Sequence, residues 1–226
     1  DDGDGFVCRG EYDHESAIGC NTIVGRLNLD DADTTEGLES LTMIVGGFGM
    51  GGNAVLTNLD GLVNLRVVTD EFNIGDNPAL TNLDGLSGLE TVESSISISE
   101  NDGLEDIGGL SSLTWVDDNL SISGNGALLT MDGLNNLVYV GGLNVDGNPL
   151  LTSLGTLDTL TTIDGEIWIL DNAALNDIDG LLSVTDAGTE IYIRSNASLC
   201  SADVDAFRDA LRAAGWDYAI VNEFNT

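Results

Sequence analysis

The ten residues Asn53-Ala-Val-Leu-Thr-Asn-Leu-Asp-Gly-Leu62 return almost unchanged as Asn77-Pro-Ala-Leu-Thr-Asn-Leu-Asp-Gly-Leu86. From Asn77 the leading asparagine recurs at Asn101, Asn125, Asn148, Asn172 and Asn196, at steps of 24, 24, 23, 24 and 24 residues. A period of this size points to a stacked repeat architecture, because one unit cannot bury its apolar face without neighbours.

Within each repeat, counted from the Asn as position 0, apolar residues fall at +3, +6, +9, +12 and +15, then at +19 and +21. In one repeat these are Leu80, Leu83, Leu86, Leu89, Val92, Ile96 and Ile98. The last two sit in strict alternation, clearest in Ser95-Ile-Ser-Ile-Ser99, which reads as a half-buried strand. The spacing of three before it does not fit a 3.6-residue helix and suits a chain turning tight corners. The pattern predicts an all-β fold, a right-handed parallel β-solenoid of about seven to eight ~24-residue coils with a C-terminal α-helical cap. The +18 to +22 segments are expected to stack into one long sheet.

The geometry assigns roles to the punctuating residues. Asn53, Asn77, Asn101, Asn125, Asn148, Asn172 and Asn196 are expected to form a buried structural ladder that satisfies backbone groups at one corner. Asp60-Gly, Asp84-Gly, Asp132-Gly and Asp179-Gly mark a second corner, where Asp caps the turn and Gly takes positive φ. Carboxylates on successive coils there offer a cation ladder, interrupted at Gly108 and Gly155.

Three segments follow. Residues 1–20 form an acidic N-terminal segment and cap, 21–199 the solenoid repeats, and 200–226 a helix–strand cap. The opening Asp-Asp-Gly-Asp-Gly reads as the start of a processed or trimmed chain. Asp2 and Asp4 resemble part of an Asp-rich calcium loop without its distal Glu, which makes calcium the one candidate cofactor; a flexible acidic terminus is the alternative. Cys8 and Cys20 are expected to bridge and tie down this end. Cys200, at the far end of the stack, is out of reach of both and is free, buried or intermolecular. At the C-terminus Ser201 is read as an N-cap, Val204, Phe207, Ala210, Leu211 and Ala214 as one helical face, Gly215 as its end, and 216–221 as a final strand.

Charge excludes several function classes. The chain carries 39 acidic residues against 6 basic ones, all of them Arg, for a net charge of −33. Such a field repels nucleic-acid phosphates and anionic lipid heads and favours cationic partners. No apolar run reaches the roughly 20 residues of a membrane span. The N-terminal bridge favours an oxidising, extracellular or cell-surface location.

The stretch Gly19-Cys-Asn-Thr-Ile-Val-Gly-Arg-Leu-Asn-Leu29 and the repeat Ile-x-Ile-x-x-Asn-x-x-Leu-x-x-Leu-x-Gly-Leu resemble receptor L domains. These are leucine-rich-repeat-like β-helices, found also in bacterial and archaeal cell-surface proteins. The resemblance covers roughly residues 19–200. It implies a secreted or surface-attached protein that presents one face to partners.

No catalytic constellation stands out, and a non-enzymatic role is expected. His14 is the lone histidine, in an acidic loop without a nearby nucleophile. At +20, the outward centre of the expected sheet, the row runs Gly49, Asn73, Ser97, Ser121, Asn144, Trp168 and Tyr192. The first five make a flat, small, polar surface. Trp168 and Tyr192, flanked by Leu170 and Arg194, form a candidate patch for a protein or glycan at the cell surface. Alternatively, the C-terminal cap folds over them with Trp216 and Tyr218. The expected function is an extracellular recognition or adhesion module acting through the sheet face. A second reading is self-association, as a structural subunit of an extracellular filament or surface layer.

Overall fold

The computed structural model describes residues 6–223 and 225. It is a parallel β-solenoid of about seven turns at ~24-residue spacing, with a helix near the C-terminus. All inter-strand pairings are parallel, so each coil adds one rung to the same stack.

The spacing of three has a concrete cause. Leu80 N–H donates to Asn77 O, Leu86 N–H to Leu83 O, and Leu89 N–H to Leu86 O, at 3.1, 2.8 and 2.9 Å. These are i→i+3 turns, and a chain turning every three residues points every third side chain inward. Leu80, Leu83, Leu86, Leu89, Val92, Ile96 and Ile98 are accordingly all fully buried. At roughly 1.5–3 kcal/mol per buried aliphatic side chain, this interior is the main source of stability.

Two lines of strands run along the stack. The expected one includes Phe48–Gly51, Phe72–Gly75, Ile96–Ser99, Ile167–Leu170 and Ile191–Arg194. A second line at +14 and +15 includes Val67–Val68, Thr91–Val92 and Thr162–Ile163, and the single-sheet expectation missed it. In two coils the lines merge into continuous strands, Trp115–Ser123 and Tyr139–Asp146.

The asparagine ladder forms as expected. Each side chain from Asn53 to Asn196 is at most 2% exposed, and each Oδ1 accepts from the coil before it. At the N-terminal end Ala32 occupies the rung position and donates its N–H to Asn53 Oδ1 at 2.6 Å. At the other end Asn225 adds a rung that sequence reading missed, accepting from Asn196 N–H at 2.9 Å. The residue before each rung from Ala32 to Asn196 is left-handed, as at Asp76, Glu100, Gly124 and Asp171.

The Asp-Gly corner differs from expectation. Asp60–Leu62, Asp84–Leu86 and Asp179–Ser183 are short 3-10 helices that start at the Asp. Their first N–H groups are met from two positions further back, Asn58 Oδ1 receiving Asp60 N–H at 3.2 Å and Asn82 Oδ1 receiving Asp84 N–H at 3.1 Å. Of the four glycines only Gly133 has positive φ, at 116°. Gly61, Gly85 and Gly180 are required by close stacking instead, since a Cβ there would run into a backbone carbonyl of the coil beneath.

Both ends are finished. Cys8 and Cys20 form the expected disulfide, Cα–Cα 5.9 Å, beside the short helix His14–Ala17. The C-terminal helix Ser201–Ala213 buries Val204, Phe207 and Leu211 against the last coil. Its flanking residue is Cys200 rather than Ser201, because Cys200 keeps extended backbone angles, φ −74° and ψ 135°. The final strand is Ile220–Glu223, later than expected, because Trp216 is drawn into the core and donates Nε1–H to Gly188 O at 2.9 Å.

Candidate functional site

The +20 row is in register as read. Asn73 pairs with Ser97, Ser97 with Ser121, Ser121 with Asn144, Asn144 with Trp168, and Trp168 with Tyr192. Gly49 departs from the flat polar face: a Cβ on it would lie 2.5 Å from a guanidinium nitrogen of Arg26, which roofs that coil.

The structure brings the four patch residues together. Trp168 and Tyr192 meet edge to face, ring centroids 5.6 Å apart at 69°. Arg194 lies 5.7 Å from the Tyr192 ring centre and pairs with Glu223 at 3.8 Å, while Leu170 is its partner across the strands. The cap does not fold over them. Val221 continues the sheet beside Tyr192, Trp216 turns inward, and Trp168 stays 39% exposed.

A second aromatic pair lies outside the sequence-derived patch. Trp115 and Tyr139 are neighbours on the +14 line, stacked face to face at 4.0 Å and 12°, with Trp115 40% exposed. The signal was present, since Val67, Thr91, Trp115, Tyr139 and Thr162 each precede a buried +15 residue in strand-like alternation. The spacing of three concealed it.

Between the two pairs lies a groove whose origin is the single 23-residue step. Val116 pairs with Val140 and Asn119 with Gly142, so Asp117 and Asp118 oppose only Gly141. The following coil again inserts three residues, Asp164-Gly-Glu166, between Ile163 and Ile167. The short coil is therefore recessed between two longer ones, a β-bulge turned into a depression. It measures about 400 Å³, with Gly141 and Gly142 at its base and Asp117, Asp118, Asp164 and Glu166 around it. Through Asn119 and Glu166 it continues into a compartment of about 230 Å³ lined by Asn144 and Trp168.

The electrostatics are one-sided. Asp117 accepts from Trp115 Nε1–H at 3.2 Å and Asp118 from Ser94 Oγ–H at 3.2 Å. Among the described residues none of the four carboxylates has an ion-pair partner. Burial, then the charges of Asp164, Asp117 and Asp118, push the Tyr139 hydroxyl above the usual phenol range. In the adjoining compartment Asn144 donates from Nδ2 to Ser121 Oγ at 3.1 Å, but among the described residues its own buried Oδ1 receives no hydrogen bond.

Other candidate residues fall elsewhere. Asp2 and Asp4, the calcium reading, lie outside the described residues. Among the described residues no group of three or more His, Cys, Asp or Glu side chains could hold a metal ion. His14 Nε2 lies 2.8 Å from Glu36 O, in a loop contact away from the groove. Cys200 is a free, exposed thiol. No helix among the described residues is long and apolar enough to cross a membrane.

A scan against protein-family models finds no match, and a search of the curated proteins finds none either.

Proposed function

We propose that this protein is a non-enzymatic recognition or adhesion module of the extracellular space or cell surface, binding a protein or glycan through its sheet face. The observation that carries this reading is the pair Trp168 and Tyr192. They stand side by side on a row otherwise made of small or polar residues, and Trp168 is left 39% exposed. The exposed part of a large aromatic gains nothing from water and contributes binding energy when a partner covers it. The Cys8–Cys20 bridge supports an oxidising location, and kinship with receptor L domains belongs to the same proposal.

The test is capture on glycan and extracellular-protein arrays by wild type and by a Trp168→Ala/Tyr192→Ala variant. Retained capture by a folded double variant would reject the patch as the binding surface. The filament or surface-layer reading rests on the exposed Cys200 thiol. Light scattering with and without reductant and calcium separates the two. A monomer of 23.6 kDa in every condition supports the recognition module, and assemblies that dissolve on reduction support the building block.

A further inference from the structure

We propose that the groove between the two aromatic pairs is a binding site for the cationic side chains of a protein partner, an extended segment carrying arginine or lysine. One such side chain would be seated against Tyr139 among Asp117, Asp118, Asp164 and Glu166. This rests on the recognition reading above and narrows its partner to a basic protein segment.

Three independent features converge there. The groove is built by the backbone: a coil one residue short, with Gly141 and Gly142 at its base, lies between two coils that each insert three residues. Beside it stands an aromatic stack whose Trp115 is 40% exposed, and an aromatic face attracts a cation through its quadrupole. Around it are four carboxylates that have no cationic partner among the described residues and repel one another.

The shape of this charge selects the class of ligand. The carboxylates do not converge as a metal site does. They are spread around some 400 Å³, which suits a planar guanidinium with five N–H donors or an ammonium on a flexible stem. An anionic ligand is repelled, and a neutral sugar would leave the four like charges uncompensated. The groove then runs on to Asn144 and Trp168, long enough for a second side chain of an extended peptide. Asn144, which lines that end, carries a buried Oδ1 that has no donor among the described residues.

A net charge of −33 attracts any polycation, so the experiment must separate the groove from the general field. The probes are a synthetic peptide of alternating arginine and glycine and its citrulline counterpart, which keeps the shape and loses the charge. Binding is read by calorimetry for wild type, Tyr139→Leu, an Asp164→Asn/Glu166→Gln double variant, and an Asp60→Asn/Asp84→Asn control that removes the same charge outside the groove. The expected result is weakening of about tenfold for each groove variant, the scale of one cation–π contact or one lost charge pair. The control should change affinity by less than about twofold, and the citrulline peptide should not bind. The groove double variant should melt at a higher temperature than wild type, because it relieves repulsion, so weakened binding cannot be ascribed to misfolding.

Equal weakening by the control double variant would overturn the proposal in favour of diffuse attraction. So would full competition by calcium chloride at matched ionic strength. If the arginine peptide fails to bind while an array partner is still captured through Trp168, the basic-segment assignment falls and the recognition reading stands. Failure of both removes both.

Discussion

Asn77 donates twice to one atom: its backbone N–H and its Nδ2 reach Oδ1 of Asn101 at 3.1 and 2.9 Å. Asn101 in turn gives its Nδ2 hydrogens to Ile74 O behind it and Asn125 Oδ1 ahead, at 3.1 and 3.2 Å. One carboxamide thus joins three coils in a site closed to water.

Removing it should be severe. Asn101→Ala leaves the Asn77 N–H and the Ile74 carbonyl short of partners, and each buried unsatisfied group costs about 1–3 kcal/mol. The expected loss is roughly 3–5 kcal/mol in urea unfolding. Asn101→Asp should lose more at neutral pH, since a carboxylate cannot donate to Ile74 O and is itself buried unpaired. A loss below about 1 kcal/mol for Asn101→Ala would show that water replaces the rung.

The left-handed residue before each rung offers the opposite sign. Glu100 holds φ 55°, at the place where the next two coils use Gly124 and Gly147. Glu100→Gly should stabilise the protein by about 1 kcal/mol, the strain of the left-handed region less the extra freedom of glycine in the unfolded chain. Thermal unfolding that shows a loss instead would mean the Glu100 side chain carries a stabilising contact.

Gly85 tests the stacking argument. Its φ is not positive, yet a Cβ would collide with Leu59 O of the coil beneath. Gly85→Ala should destabilise by more than about 3 kcal/mol or prevent folding, because two backbones would have to separate. Gly52→Asn is the contrast: φ is 69°, an added Cβ would meet nothing within 4 Å among the described residues beyond its chain neighbours, and asparagine tolerates that region, so circular dichroism should show a near-native melt.

Asp146 sets a pH dependence. Burial first, then the charge of Asp171, raise its carboxyl above the usual value. A raised acid binds its proton more tightly in the folded state, so stability falls as pH rises from the unfolded value through the folded one. The penalty is complete above the folded value and absent below the unfolded one. Asp146→Asn should therefore stabilise at about pH 7 and have almost no effect at about pH 3. Equal gains at both pH values would assign the effect to packing.

The groove shows where sequence reading stopped. The 23-residue step from Asn125 to Asn148 is plain in the chain, as are Trp115 and Tyr139. That the missing residue falls opposite Asp117 and Asp118, and that the two rings stack, depends on register between coils. Asn225 was missed for a related reason. It lies 29 residues after Asn196, because the helix Ser201–Ala213 interrupts the period, yet it meets the ladder as a rung.

By itself the sequence determined what repeats locally: the period, the inward side chains, the buried asparagines and the helical cap. Each of these is read from spacing along one coil, since turn geometry and hydrophobic burial act over a few residues. The tertiary structure decided what depends on the coil above and below. The glycines of the Asp-Gly corner serve a neighbouring carbonyl rather than their own turn, and Trp168 remains open because Trp216 finds Gly188 O. Stacking brings together residues about 24 positions apart at a strand spacing of roughly 4.8 Å, and no local pattern encodes what meets across that distance.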